Sequence, residues 1–350
     1  MMTGSQSFRL FRNPHHGVPG VVVLPQGGFR RAAADIRAWP GYAPVSLRAW
    51  PGEAARAGVA ALHGVGVGAE AKAFGFSAAG GAYAAARVLM AALARRGVTA
   101  NSAAMWQGEC LAEAGKVTVA CAGAAPHAEA VARTMKRLGA RCVVFLPRDG
   151  VKREAIEASG AEIRFLSVPR RDLPREAAAE AEREGWPFVA DTSWPGYTET
   201  PRDIMQAYRV VAEEALAGLP EAPTHIFAQG GKGAVAAAIS VQARARFGDA
   251  VRLVVVEAEG AAPLLASAEG KAVPEMEPNL LAWQELERGA FAFMAVSDSD
   301  TLRGEEDIPA GLAALLGVAR DEAARAALQL GAQSRVVLLG AEEEVSDLYA

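Results

Sequence analysis

Few residues of this chain have the type and spacing that chemistry needs. Gln229-Gly230-Gly231-Lys232-Gly233 separates a β-branched run from a long alanine-rich stretch. A glycine-rich turn that opens a helix points free backbone N–H groups and the helix dipole at an anion. Lys232 either reaches a bound phosphate or carboxylate directly or is an exposed loop lysine. Asp191, in Asp191-Thr192-Ser193-Trp194-Pro195-Gly196-Tyr197, reads as an acid-base group or as the cap of a Pro-Gly turn. Lys72 and Glu70 stand ahead of the block Gly80-Gly81-Ala82-Tyr83, where a solvated lysine and a surface ion pair are the plain readings. His15, His16, His63, His127 and His225 include one adjacent pair and no i,i+4 pair, so no metal site is expected. Cys110, Cys121 and Cys142 have no C-x-x-C spacing, which argues against zinc and against a disulfide framework. Ser77 lacks the G-x-S-x-G elbow of a nucleophilic serine. The six tryptophans are spread singly rather than as a base-stacking surface.

The elements that must hold these residues alternate between short β-branched runs and helical stretches. That is the pattern of an α/β protein with parallel sheets. Strands are expected over 116–122, 142–146 and 161–166, with helices over 129–138 and 154–159 between them. A second series has strands over 224–228, 252–257 and 335–339, and a helix over 234–247. The acidic span 172–184 separates the two series and reads as a helical connector. Gly/Pro clusters at 25–28, 39–44 and 194–196 mark turns.

The chain has 350 residues, of which 51% are hydrophobic and 22% charged, enough to bury a large core. Its 36 basic and 40 acidic side chains give a net charge of −4, so no general attraction to nucleic acid or an anionic membrane is expected. No apolar run approaches the ~20 residues of a membrane span. The opening run MMTGSQSFRLFRNPHHG lacks the apolar core of a secretory signal, so a cytoplasmic location is expected.

Several blocks together resemble one family. PGYAPVSL (40–47), FGFSAAGGAYAAA (74–86), ADTSWPGY (190–197), IMQAY (204–208), THIFAQGGKGA (224–234) and SRVVLLGAEEE (334–344) follow its order and spacing. They look like diaminopropionate ammonia-lyase, a fold-type-II pyridoxal-phosphate enzyme related to threonine dehydratases and the tryptophan synthase β chain. The resemblance implies two three-layer α/β domains with the cofactor between them, the smaller inserted in the larger. Residues 1–81 and 186–350 would form the large domain and 82–185 the small one. It also implies a dimer, and conversion of 2,3-diaminopropionate to pyruvate and ammonia. That chemistry needs a Schiff-base lysine, acid-base groups and a glycine-rich phosphate loop.

Position by position, the resemblance keeps some of this and loses the rest. The family lysine stands just before the Gly-Gly-Ala-Tyr block; here the run is Phe76-Ser77-Ala78-Ala79-Gly80-Gly81, and the lysine is absent. A rescue role for Lys72 is the alternative. A family run of the type TDGNHGRG supplies a proton-relay Asp and a ring-oxygen Asn. Here those positions are Ala124 and Pro126, and His127 alone is kept. Asp191 matches the family's other catalytic aspartate, and Gln229, Gly230, Gly231, Lys232 and Gly233 match its phosphate loop, with Lys232 in place of a small apolar residue. Near the C-terminus Asp307 and Ile308 replace a Ser and a Gly, and Glu342, Glu343 and Glu344 cluster where the family has a Thr-Glu-Gly run. The resemblance therefore implies pyridoxal phosphate on a degenerate site. The expected ligand is a small-molecule anion or amino acid, and the expected assembly a homodimer or a heterodimer with an active paralogue. An active ammonia-lyase with an atypical site is the alternative.

Overall fold

The computed structural model describes residues 8–65, 76–123, 125–148, 153–271, 273, 277–298, 302–303, 306–307 and 309–340. The strands that matter below are β1 (Phe8–Arg12), β2 (Leu47–Ala49), β3 (Ala61–Val65), β4 (Thr118–Ala122), β5 (Arg141–Pro147) and β6 (Glu162–Leu166). They continue with β7 (Phe188–Ala190), β8 (His225–Gln229), β9 (Arg252–Ala258), β10 (Ala292–Val296) and β11 (Arg335–Leu339). The helices are α1 (Gln26–Arg37), α2 (Phe76–Ala94), α3 (Ala125–Leu138), α4 (Leu173–Arg183) and α5 (Glu199–Ala217). Further on come α6 (Ala234–Phe247), α7 (Pro263–Ala268), α8 (Leu280–Gly289) and α9 (Ala310–Ala319).

The chain forms two compact units. One comprises Met1–Val23, Pro44–Ala71 and Ala212–Glu344. Its seven-stranded sheet has the order β1-β10-β9-β8-β11-β3-β2. The five inner strands are parallel to one another, and β1 and β2 lie antiparallel on the two edges. Val254, Val255 and Val256 of β9 are all buried, because a parallel sheet covered on both faces leaves no exposed alternate position. Phe227, Val254, Met294 and Val336 pack in one core with Ala314 and Leu315 of α9.

The other unit comprises Leu24–Ala43, Lys72–Val211 and Val345–Ala350. Its four-stranded sheet, β6-β5-β4-β7, is parallel throughout. Two glycines let the helices of this unit approach closely. A β-carbon on Gly81 of α2 would stand 2.9 Å from that of Ala130 on α3, and one on Gly80 would stand 2.2 Å from the Tyr208 ring of α5. Helix α1 packs Ala32, Ala33 and Ile36 in one cluster with Tyr83, Ala207 and Val210.

Most expected elements form, with ends displaced by a few residues. The span 172–184 is not a connector: α4 buries Ala177 and Ala181 in the core of the small sheet with Ala120, Ala122 and Phe145. An alanine pair four residues apart makes one face of that helix apolar, and its charges occupy the other. Strand β7 hydrogen-bonds beside β4, pairing Ala120 with Phe188 and Cys121 with Val189, so residues past 185 complete the small sheet. No helix among the described residues is long and apolar enough to cross a membrane.

Candidate functional site

The glycine-rich loop joins β8 to α6 in the larger-sheet unit. Gly230 donates its N–H to the Val256 carbonyl at 2.7 Å, and Gly233 donates to the Gly230 carbonyl at 2.8 Å. Gly231 (φ +50°) and Gly233 (φ +96°) adopt left-handed backbone that L side chains rarely enter. Nothing lies within 4 Å of a β-carbon built on Gly231, so this part of the loop faces open space. Gly233 caps α6 without a side chain, which directs the first-turn N–H groups outward toward an anion. Gln229 is half-buried and Gly230 buried, while Lys232 is exposed. The Lys232 carbonyl accepts the N–H of Asn279 at 2.9 Å. Asn279 is fully buried and caps α8 through Oδ1 on the N–H of Ala282.

Beneath the loop sits a carboxylate that sequence reasoning missed. Glu257 is 2% exposed, and a β-carbon on Gly230 would lie 2.6 Å from its Cγ. Its two oxygens accept the N–H groups of Leu264 (3.0 Å) and Leu265 (2.8 Å) in the first turn of α7. Burial raises its pKa to about 7, against the opposing pull of those two N–H groups. The available signal was a glutamate closing the run Val254-Val255-Val256, where a strand buried on both faces has no solvent side for a charge.

The second group lies in the small-sheet unit, at the carboxyl ends of β4 and β7. Gly123 follows β4 and Asp191 follows β7, and these strands are neighbours in the sheet. A β-carbon on Gly123 would stand 2.9 Å from both Asp191 Cγ and His127 Cδ2, so both side chains close over this glycine. His127 is buried in the first turn of α3. Tyr197 fastens the Trp-Pro-Gly-Tyr turn to β7: its hydroxyl accepts the Ala190 N–H at 2.9 Å and donates to the Phe188 carbonyl at 3.2 Å. Its ring stacks on Trp194 at 4.4 Å. Burial raises the pKa of that hydroxyl, so it stays protonated.

Thus the structure joins Gln229, Gly230, Gly231, Lys232 and Gly233 in one loop, and sets Asp191 against His127 in the other unit. Ala124, Lys72, Glu70, Ile308 and Glu342, Glu343 and Glu344 lie outside the described residues. Among the described residues no cluster of His, Cys, Asp or Glu could hold a metal ion.

The model of a family described as "Pyridoxal-phosphate dependent enzyme" matches residues 86–341, more than half of the chain. This chain belongs to that family. The diaminopropionate ammonia-lyase of Salmonella typhimurium is 28% identical over 269 residues, covering 64% of this chain and 66% of the relative. That of Escherichia coli K12 is 34% identical over 129 residues, 35% of this chain and 32% of the relative. The matched segments thus span from 32% to 66% of these relatives. In three dimensions the crystal structure of holo diaminopropionate ammonia lyase from Escherichia coli superposes with a TM-score of 0.83 at 25% identity. That superposition covers 98% of this chain and 95% of the other. Threonine deaminase isoform 2 from Solanum lycopersicum shares the fold alone, with a TM-score of 0.66 at 16% identity. The scaffold is that of fold-type-II pyridoxal-phosphate enzymes.

Family membership implies pyridoxal phosphate. The loop from Gln229 to Gly233 suits a phosphate by its left-handed glycines, its open face at Gly231 and its place at a helix start. For the covalent end, none of the described lysines stands at the start of α2. Of the six lysines, Lys116 pairs with Glu113, Lys136 donates to the Ala158 carbonyl and Lys271 pairs with Glu269, all on the surface. Lys72 and Lys152 are outside the described residues, and Lys232 belongs to the phosphate loop itself. The start of α2, where the resemblance puts the lysine, carries the buried apolar residues Phe76 and Ala79.

Proposed function

We propose that this protein keeps the fold-type-II scaffold without ammonia-lyase chemistry, and acts as a ligand-binding or partner subunit. The observation that carries this reading is the run Phe76-Ser77-Ala78-Ala79 ahead of Gly80-Gly81, where no amine is present to bond a carbonyl cofactor. Ala124 and Pro126 add an independent loss, since neither side chain can move a proton or bind a ring oxygen. The Gln229 to Gly233 loop supports retained binding of an anion, either a phosphate-bearing ligand or an amino-acid carboxylate. The intact packing of Trp194, Tyr197 and Tyr208 supports a folded body that assembles as a homodimer or with an active paralogue in the cytoplasm.

A second reading is favoured by Asp191 lying beside His127: an active ammonia-lyase that converts 2,3-diaminopropionate to pyruvate and ammonia. Asp191 would then exchange the proton, and Lys72 or Lys232 would supply the amine. The test is borohydride reduction of the purified chain in excess pyridoxal phosphate, followed by peptide mass spectrometry. The degenerate reading expects no stoichiometric adduct. An adduct on Lys72 or Lys232, with pyruvate released from 2,3-diaminopropionate, establishes the second.

A further inference from the structure

The amino ends of the small sheet carry a feature that the reading above does not use. The chain enters β4 through Lys116 and Val117, β5 at Arg141 and β7 through Gly185, Trp186 and Pro187. With Ala92, Arg95 and Arg96 at the end of α2, these segments line a cleft of about 260 Å³. Its charged walls are Arg95, Arg96, Lys116, Arg141 and Glu184. Four cations face one carboxylate there, in a chain whose net charge is −4.

Part of this charge has a structural duty. Cations suit the carboxyl end of a helix, and Arg96 Nη1 donates to the Lys116 carbonyl at 2.9 Å. The Lys116 ammonium pairs with Glu113 at 2.7 Å. Glu184 stands 3.7 Å from Arg164. Arg95 and Arg141 have no such duty: neither side chain makes a hydrogen bond or ion pair among the described residues. Two unengaged guanidinium groups in a cleft backed by the buried Ala92 and Val117 focus a positive field on its interior. Guanidinium forks match the paired oxygens of phosphate and carboxylate.

We propose that this cleft binds a small polyanion bearing phosphate or carboxylate groups, clamped by Arg95 and Arg141. Its volume lies just below the roughly 300 Å³ of drug-sized pockets, which suits a compact metabolite and not a dinucleotide. The site is separate from Asp191 and His127. Strand β4 runs five residues from the cleft to Gly123, about 17 Å at the rise of a strand. The inference does not depend on whether the chain catalyses anything.

Titration calorimetry of the full-length chain with inorganic pyrophosphate tests it, with citrate as a second arm and sodium chloride matched for ionic strength. Three proteins are compared: the wild type, Lys232→Ala, and the double variant Arg95→Ser with Arg141→Ser. Both arginines are exposed, so the double variant is expected to fold. The proposal expects saturable pyrophosphate binding that survives Lys232→Ala and weakens at least about tenfold in the double variant. Citrate binding lost in the same variant marks a general polyanion site, and pyrophosphate binding alone marks a phosphate site. Equal affinity in the double variant overturns the proposal. So does loss of binding in Lys232→Ala, or a signal no larger than that of sodium chloride.

Discussion

Asp191 and His127 meet over the bare α-carbon of Gly123, each 2.9 Å from where a β-carbon would stand. The two come from elements over sixty residues apart in sequence, the end of β7 and the start of α3. The small sheet brings them together because β4 and β7 are hydrogen-bonded neighbours that run in the same direction. In an open parallel sheet the carboxyl ends of strands are where ligands are handled.

Gly123→Ala therefore forces a methyl group against two side chains, one of them the buried His127. The expected cost is about 1–3 kcal/mol of stability, read as a lowered melting temperature. Combining it with Asp191→Ala should recover part of that loss, since the clash then has one partner fewer. Strict additivity of the two substitutions would show that Asp191 does not close over Gly123.

The glycines of the anion loop make a second prediction. Gly230→Ala places a methyl group 2.6 Å from Glu257 Cγ, with Leu264 and Val255 each 3.2 Å away. It should destabilise by about 1–3 kcal/mol through overpacking. Gly231→Ala meets no atom within 4 Å and costs only its left-handed backbone, about 1 kcal/mol. Chemical denaturation of the two variants side by side should rank them in that order.

Glu257 makes stability depend on pH in a stated direction. Its folded-state pKa is raised from 4.5 to about 7, so the folded chain holds a proton that the unfolded chain releases. Its contribution is full below about 4.5 and is lost as pH rises through about 7. The swing is on the order of 3 kcal/mol. His225, lowered to about 4 by burial, acts in the opposite sense across an overlapping window, so the wild-type profile alone is ambiguous. The free energy of unfolding of wild type minus that of Glu257→Gln isolates the carboxyl. That difference should fall between pH 4.5 and 7. A difference independent of pH would mean the carboxyl titrates normally.

Phosphate should raise the melting temperature if the loop from Gly230 to Gly233 holds an anion, since a ligand of the native state stabilises it by mass action. Lys232→Ala should reduce the shift. An equal shift in the variant would mean that Lys232 takes no part in it.

How far the sequence could be read depended on whether a signal was local. The glycine loop, the apolar runs of β8, β9 and β11, and the alanine-rich α6 announce themselves within a few residues each. The resemblance blocks fixed the scaffold because they recur in one order along the chain. Helix α4 is legible as a helix, but its packing is not, because its charges outnumber its alanines and only the sheet beneath reveals its inner face. Glu257 was invisible for the converse reason. One acidic residue after three valines carries no motif, and its meaning arises from the N–H groups of Leu264 and Leu265 that face it. The cleft at Arg95 and Arg141 joins residues 46 positions apart that no spacing rule connects.

The loss of a covalent site for pyridoxal phosphate is the central claim, and it rests on Phe76-Ser77-Ala78-Ala79 standing where an amine is needed. Purified full-length protein, incubated with excess pyridoxal phosphate, reduced with borohydride and digested for mass spectrometry, tests it most directly. The account predicts scattered, substoichiometric modification of exposed lysines such as Lys116 and Lys271. One modified lysine per chain at a single position, Lys72 or Lys232 above all, would contradict it.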